Sequence, residues 1–234
     1  MPSKELIAEH RVVQEIARAV LDELAFSISP EDSELTIAEK AATSLCSRGA
    51  PDTWYYNCPA LVLLGVRSCL SISGREYQPA TVEVGSHNLV TVDLSPVLNG
   101  RWGDCARSFY VEDNTVTSTP TSPEFLKGQL FLASLHAQMQ KLVTSQTSFH
   151  ALWEWTNRKI KEQGFENLDF LANVGHSIAT NRDARQYVEK GNMVLLGDVP
   201  FFTFEPHVRE LDGSWGFKHE NIFFFNKELL LEEL

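Results

Sequence analysis

A two-residue turn between two apolar stretches constrains this chain more than any other feature. Asn99-Gly100 separates residues 89–98 from residues 101–111, and both stretches are rich in aliphatic and aromatic side chains. Asn and Gly readily adopt the positive φ angles of a two-residue hairpin turn, so we predict two antiparallel strands. Counting outward from the turn places Ser95 opposite Asp104.

This register brings two acidic residues together. Side chains alternate between the faces of a strand, so Asp93 projects on the same face as Ser95 and lies diagonally across from Asp104. Uncompensated carboxylates among apolar neighbours are costly, and a bound cation is the simplest compensation. The hairpin alone leaves a second interpretation open, because exposed acids are common beside turns.

A second acidic hairpin is predicted near the other end of the chain. The phenylalanine-rich segment 201–225 contains a turn signal at Asp212-Gly213. Pairing about this turn places Glu205 opposite Glu220, although Pro206 allows a bulge or a shifted register. Like charges directly opposite one another destabilise a sheet, so this pair also needs compensation.

The order of predicted elements repeats along the chain. Each half, about residues 1–115 and 120–234, contains two helices, a strand and a hairpin with two acids. The helices are predicted at 4–25, from a Thr36 cap to about Cys46, from a Ser122 cap to about Val143, and at 149–163; the lone strands are predicted at 60–66 and 168–174. We expect one α+β domain over 1–234, with a pseudo-two-fold antiparallel sheet backed by helices and four converging acids. Two unrelated hairpins with surface acids are the alternative.

Composition excludes several other classes of protein. The 234 residues are 43% hydrophobic, which suffices for a full core. The formal net charge of −11 argues against nucleic acid or an anionic membrane as a partner. The four cysteines form no CxxC pair, and no apolar run reaches signal-peptide or membrane-spanning length. We therefore expect a non-secreted, cytoplasmic protein with reduced thiols.

Five residues carry a family resemblance. Asp93, Asp104 after ten intervening residues, Gly175-His176, Glu205-Pro206 and Glu220 resemble the metal ligands of the methionine aminopeptidase, prolidase and creatinase superfamily, which has the pita-bread fold. The segments VDLSPVLNGRWGDCARSF, FFTFEPHV and FKHENIFFF are similar to that family's motif surroundings. The resemblance covers nearly the whole chain and implies the short, single-domain form.

The resemblance also implies roles for these residues. Asp93 would chelate one metal, Asp104 and Glu220 would bridge two, and His176 and Glu205 would complete the second site. The set suits two divalent ions such as Mn, Fe, Co or Zn, with metal-activated water as the nucleophile. Glu205 and His176 are the implied catalytic residues, and Glu205 resembles the family's proton shuttle.

Two departures from the family pattern bear on function. Glu76 stands in the region where the family's peptidases usually carry a histidine before the first Asp, and Asp183 lies near the position of a second histidine. Those imidazoles normally contact the substrate. Glu76 itself, His207, Trp54 and Tyr56 are the candidate substrate contacts in this chain.

Three functions remain open at this point. The first is a dinuclear metal aminopeptidase or dipeptidase that acts on a small peptide or an amino-acid-like substrate. The second is a metalloenzyme with non-peptide chemistry, such as a C–N hydrolase or a lyase, because the accessory histidines are absent. The third is a non-catalytic binding module, although such a module has no need for four converging carboxylates. A homodimer is compatible with all three.

Overall fold

The computed structural model describes residues 1–234. Its helices are α1 Lys4–Ser27, α2 Glu34–Ser47, α3 Pro123–Leu142 and α4 Phe149–Glu162. Its strands are β1 Asp52–Thr53, β2 Ala60–Leu64, β3 Asn88–Leu94, β4 Pro96–Leu98, β5 Arg101–Trp102, β6 Cys105–Glu112, β7 Thr115–Thr117, β8 Phe165–Asn167, β9 Phe202–Phe204, β10 His207–Glu210, β11 Gly216–Lys218, β12 Asn221–Phe225 and β13 Leu231–Glu233. No helix combines the length and the hydropathy that a membrane crossing requires.

The four predicted helices are present, and one begins earlier than expected. Ser33, rather than Thr36, caps α2: its hydroxyl accepts from the Thr36 N–H at 3.3 Å, and its N–H donates to the Thr36 hydroxyl at 2.8 Å. The predicted Thr36 cap is therefore wrong by one turn. Ser33 has the extended backbone of a cap residue, and Thr36 is its reciprocal partner in the first turn of the helix.

The first hairpin has the predicted turn and register. Asn99 and Gly100 both have positive φ angles, 51° and 73°. Leu98 pairs with Arg101 beside the turn, and Asp93 pairs with Ala106 further along. The register is continuous although the strands belong to two sheets, ordered β2-β3-β6-β7 and β1-β4-β5.

The second hairpin also keeps one register from end to end. His207 pairs with Lys218 and Phe204 pairs with Asn221, so Pro206 introduces no slip. These strands again divide between two sheets, ordered β11-β10-β8 and β13-β12-β9. In both hairpins the break between sheets lies beside predicted metal ligands.

The strand predicted at 168–174 is wrong. The strand that pairs with β10 is β8, and the residues after it form turns. The Asp169 carboxylate accepts hydrogen bonds from the backbone N–H groups of Leu171 and Asn173, both at 2.9 Å. The Asp169 side chain thereby accepts hydrogen bonds from backbone N–H groups that would otherwise need partners in a neighbouring strand.

Two large apolar clusters form the core. One contains residues of the first half only, from α1, α2, β2 and the first hairpin, together with Ile28 and Val84. The other contains α3, α4 and the strands of the second half, with Leu89 and Tyr110 added from the first half. A smaller third cluster draws on both halves: Trp102, Ile178, Phe201, Ile222, Phe224 and Leu234. Each helix pair thus packs against its own strands, and the division into pseudo-symmetric halves stays a prediction that this arrangement supports.

Candidate metal centre

The two acidic hairpins meet at Ala106. This residue pairs with Asp93 in the β3–β6 ladder and with Glu220 through an isolated antiparallel bridge. The Glu220 N–H donates to the Ala106 carbonyl at 3.0 Å. One backbone residue therefore fixes an acid from each hairpin, and the carboxylates converge as the sequence predicts.

Asp104 is positioned by a residue that the sequence did not single out. The Gln14 side-chain amide donates to the Asp104 carbonyl at 2.8 Å and accepts from the Asp104 N–H at 2.9 Å. Gln14 is fully buried on α1, on the face where the helical pattern predicts apolar residues. Asp104 lies between β5 and β6, so these two bonds satisfy backbone groups that have no ladder partner.

The carboxylates of the second hairpin lie just outside the strand ladders. Glu205 follows the end of β9, and Glu220 precedes β12. The Glu220 side chain is fully buried, whereas that of Glu205 is 21% exposed and faces the cavity. The Thr203 hydroxyl donates to the Glu205 carboxylate at 3.3 Å.

His176 presents one ring nitrogen to the acids. The ring Nδ1 donates to the Ser177 carbonyl at 3.0 Å. The backbone N–H of His176 donates to the Thr203 hydroxyl, also at 3.0 Å. The other nitrogen, Nε2, lies 3.3 Å from Asp104 Oδ2 and 3.7 Å from Glu205 Oε1. A histidine whose Nδ1 proton is engaged in this way offers the Nε2 lone pair to a metal.

Several buried oxygen atoms lack a hydrogen-bond partner, and this tests the fit of a metal. Asp104 Oδ2 and both carboxylate oxygens of Glu220 are buried and accept no hydrogen bond. Asp104, His176 and Glu220 also each offer a ligand atom within 4.8 Å of the others. Buried carboxylate oxygens without donors are costly unless a cation compensates them, so these residues fit a divalent ion.

The pKa shifts of Asp104 and Glu220 in the protein without metal also favour a bound cation. Burial, together with the neighbouring carboxylates, raises the pKa of Asp104 to about 6, although His176 acts against this shift. Burial and the charges of Asp104, Glu205 and Asp93 raise the pKa of Glu220 well above its ordinary value. Without a metal, both carboxyl groups therefore hold a proton more readily than an ordinary carboxyl group does, and a bound cation would oppose this.

Glu205 and His176 are shifted toward their charged forms. Burial opposes the charge of Glu205, but Lys218 and His176 outweigh it and lower the pKa of that carboxyl. Burial likewise opposes the charge of His176, but Asp104 and Glu205 outweigh it and raise the pKa of the imidazole. These opposite shifts reflect one shared cluster of charges.

A cavity of about 470 Å³ opens onto these ligands. One wall is aromatic, formed by Trp54, Tyr55, Tyr56 and Tyr187, and the Trp54 ring meets the His176 ring edge-on at 5.6 Å. Charges of both signs line the rest: Asp169 and Glu189 supply carboxylates, and Arg185 and Lys218 supply cations. A small polar molecule with groups of both charges matches such a lining.

The predicted substrate contacts divide into two groups. Trp54, Tyr56 and His207 line the cavity. The His207 Nε2 donates to the Ser68 carbonyl at 2.7 Å, and burial lowers the pKa of this imidazole to about 4, so His207 is neutral near pH 7. Glu76 is exposed on a turn and is not among the cavity-lining residues, so the structure gives no support to it as a substrate contact.

Two cavity cations were missed by the sequence analysis. Lys218 is two residues before Glu220, and strand alternation places both on one face, so the signal was available. Arg185 lies in an irregular segment after His176, where no periodic pattern indicates side-chain direction. The Arg185 guanidinium stacks on the rings of Trp54 and Tyr187, at 4.9 and 5.1 Å from their centroids.

A family model described as metallopeptidase family M24 matches residues 8–227 of this chain. The chain belongs to metallopeptidase family M24. A curated relative, methionine aminopeptidase A from Synechocystis sp., is 24% identical over 226 residues, which cover 91% of this chain and 81% of the relative. The superfamily predicted from the five spaced residues is therefore confirmed.

Solved structures confirm the predicted pita-bread fold. An X-Pro aminopeptidase from Thermotoga maritima superposes with a TM-score of 0.82 at 18% identity, covering 99% of this chain and 61% of that chain. A methionine aminopeptidase from Rickettsia prowazekii superposes with a TM-score of 0.75 at 15% identity, covering all of this chain and 98% of that one. The M24 chain thus spans about three-fifths of the X-Pro aminopeptidase and nearly the full methionine aminopeptidase.

Proposed function

We propose that this M24 protein is a metal-dependent aminopeptidase or dipeptidase that acts on a small peptide or an amino-acid-like substrate. The single observation that carries the proposal is the convergence of Asp104, His176 and Glu220 with buried carboxylate oxygens that accept no hydrogen bond. Glu205 and Asp93 border the same cavity. Such a donor set matches a hydrolytic metal centre that opens onto a substrate-sized space.

The donor types suit Mn, Fe, Co or Zn, because carboxylates and a neutral imidazole bind hard or borderline divalent ions. When bound, a divalent ion supplies Lewis acidity toward a substrate carbonyl and toward water. Asp104, His176 and Glu220 would hold it, and the Ser177 and Gln14 contacts would keep two of these ligands in place.

Glu205 is the candidate proton carrier. Its carboxylate is partly exposed to the cavity, and the lowered pKa keeps it ionised near neutral pH, so it can accept a proton. The aromatic wall and the cavity charges would orient a zwitterionic substrate. Arg185 suits a substrate carboxylate, while Asp169 and Glu189 suit a substrate ammonium group.

A specialised metalloenzyme with non-peptide chemistry, such as a C–N hydrolase or a lyase, is the second candidate. One observation favours it: His176 and His207 are the only imidazoles in the cavity lining, and the His207 Nε2 is already engaged by Ser68. Cytoplasmic localisation and a homodimer stay predictions.

The experiment combines metal analysis with a substrate screen. The purified full-length protein is analysed for bound metal and then assayed with Mn, Fe, Co and Zn against aminoacyl and Xaa-Pro substrates. Glu205→Ala should abolish turnover while the fold is retained. Glu154→Gln, an exposed acid on α4, is the matched control and should leave turnover unchanged.

The outcomes separate the candidates. Metal-dependent turnover of a peptide that disappears only in Glu205→Ala supports the peptidase. Bound metal without turnover of any peptide overturns it in favour of the second candidate. Failure to bind metal under all of these conditions overturns both and leaves a non-catalytic binding module.

A further inference from the structure

Lys218 places its ammonium group among three of the predicted metal ligands. Its Nζ forms an ion pair with Asp93 Oδ2 and lies 3.5 Å from Glu205 Oε2 and 3.9 Å from Glu220 Oε2. The Lys218 side chain is 17% exposed and lines the cavity. A lysine surrounded by three carboxylates in this way acts as a fixed positive charge.

The backbone aims this side chain into the site. The Lys218 N–H donates to the Ser108 hydroxyl at 2.8 Å, and the Ser108 hydroxyl lies 3.1 Å from the Lys218 carbonyl. Lys218 also pairs with His207 across β10 and β11. The ammonium therefore extends from an anchored strand, unlike a surface lysine that samples many rotamers.

The ligand set consequently has two unlike sides. On one side, Asp104, His176 and Glu220 gather around buried oxygens that have no donor. On the other side, Asp93 is engaged by Lys218, and the same ammonium faces the second oxygen of Glu205. The protein thus supplies a permanent cation to Asp93 on the second side, while the buried carboxylate oxygens on the first side accept no hydrogen bond.

Charge balance favours a single divalent ion. The summed positive charge of the ammonium and one divalent ion is smaller than the four negative charges of the ionised carboxylates. The summed positive charge of the ammonium and two divalent ions is larger. A second ion beside Asp93 would also have to displace Lys218 or lie next to a like charge.

We propose that Lys218 takes the place of one of the two divalent ions expected from the resemblance, so that this chain binds one metal ion at Asp104, His176 and Glu220. Asp93 is then the partner of Lys218 instead of a metal ligand. The inference rests on the proposed function only because both require bound metal.

The test is metal stoichiometry. The full-length protein is stripped with a chelator, saturated with Mn²⁺ or Zn²⁺, desalted and analysed for metal per chain by mass spectrometry, with isothermal titration as a second readout. Wild type should bind about one ion per chain, and Lys218→Met should bind about two, because removal of the ammonium frees Asp93 and Glu205 as ligands. Lys218→Gln is a second uncharged variant, and circular dichroism verifies the fold of each.

Two further variants make the assignment specific. In the Lys218→Met background, Asp93→Asn should return the stoichiometry to about one, because the freed ligand is lost again. Lys127→Met, which removes an ion-paired surface lysine on α3, should leave the wild-type value unchanged. A folded Lys218→Met protein that still binds one ion, or a wild type that binds two, overturns the inference.

The inference and the proposed function can fail separately. A wild type with two ions and peptide turnover sinks the inference and retains the function. A wild type with one ion, a Lys218→Met variant with two and no turnover of any peptide retains the inference and sinks the function. A wild type that binds no metal overturns both.

Discussion

Gln14 makes both hydrogen bonds of the Asp104 backbone, and so the first helix directly positions a predicted metal ligand ninety residues away. His10, also on α1, makes a similar contact: its ring Nδ1 lies 3.1 Å from the Trp102 carbonyl oxygen. Both residues are buried among apolar neighbours. The helix therefore contributes more than apolar packing: it supplies hydrogen-bond partners to the backbone at the end of β5 and to Asp104, which precedes β6.

Gln14→Leu should weaken both stability and metal binding. Leucine fills a similar volume but leaves the Asp104 N–H and carbonyl buried without partners, at a cost of about 2–5 kcal/mol in the free energy of unfolding. Loss of a group that orients a ligand should also lower metal affinity by about 10–100-fold. Urea unfolding and isothermal titration measure the two effects. Gln140→Leu on the exposed face of α3 is the control, and equal effects in both variants would contradict the assignment.

Gly175→Ala should be severely destabilising. Gly175 has a φ of +156°, and an added Cβ would lie 2.2 Å from the Thr203 carbonyl oxygen. Relief requires movement of the backbone that holds His176, so we expect a loss of more than about 3 kcal/mol. Gly49→Ala is the matched control, because Gly49 has a φ of +84° with no atom within 4 Å of the added Cβ. Its expected cost is about 1–2 kcal/mol, and equal unfolding midpoints for the two variants would contradict the prediction.

Turn chemistry and strand alternation made the hairpins predictable. The positive-φ residues Asn99 and Gly100 fix the first turn, and counting from each turn gives the observed pairing throughout both hairpins. The count was reliable because a slip of one residue would move every apolar side chain to the wrong face. The four carboxylates of the site were therefore accessible from sequence.

Features that depend on distant partners were not accessible in this way. Gln14 reads as a polar residue in an amphipathic helix, and only its buried contact with Asp104 shows its role. Arg185 lies in an irregular segment that no periodicity describes. The exposed position of Glu76 follows from the path of a loop, because residues 71–87 contain no regular strand pattern that would aim a side chain.

Glu34→Gln should destabilise the first half of the molecule. The Glu34 side chain is fully buried and accepts from the Leu64 N–H at 2.9 Å, from Arg67 Nε at 2.8 Å and from the Ala80 N–H at 2.8 Å. The glutamine amide would place its own NH₂ group against one of these donors, and the carboxylate charge would be lost. The expected cost is about 2–4 kcal/mol in the free energy of unfolding.

The exposed ion pair between Glu23 and Arg48 provides the control for that variant. Glu23→Gln should have little effect on the free energy of unfolding, because water already solvates both partners. Urea unfolding at pH 7 compares the two variants. A Glu34→Gln midpoint that matches that of Glu23→Gln would show that the buried contacts contribute little.

Acid should destabilise the protein through its buried histidines. Burial lowers the pKa of His136 to about 3 and that of His219 to about 2, and the two rings pack at 4.4 Å. The unfolded chain takes up these protons near the ordinary value of 6.5, but the native state does not. The unfolded state therefore binds more protons below that value, and stability falls as the pH falls.

His136→Gln tests this dependence. Each such histidine should add a slope of about 1.4 kcal/mol per pH unit between its unfolded and native pKa values. Glutamine cannot be protonated and retains a donor toward the His219 carbonyl, which the His136 Nε2 contacts at 3.1 Å. Urea unfolding between pH 7.5 and about pH 5 should give a shallower slope for the variant than for wild type, with the difference growing toward acid. Parallel stability curves would mean that His136 takes up its proton equally in both states, contrary to the burial that the fold imposes on it.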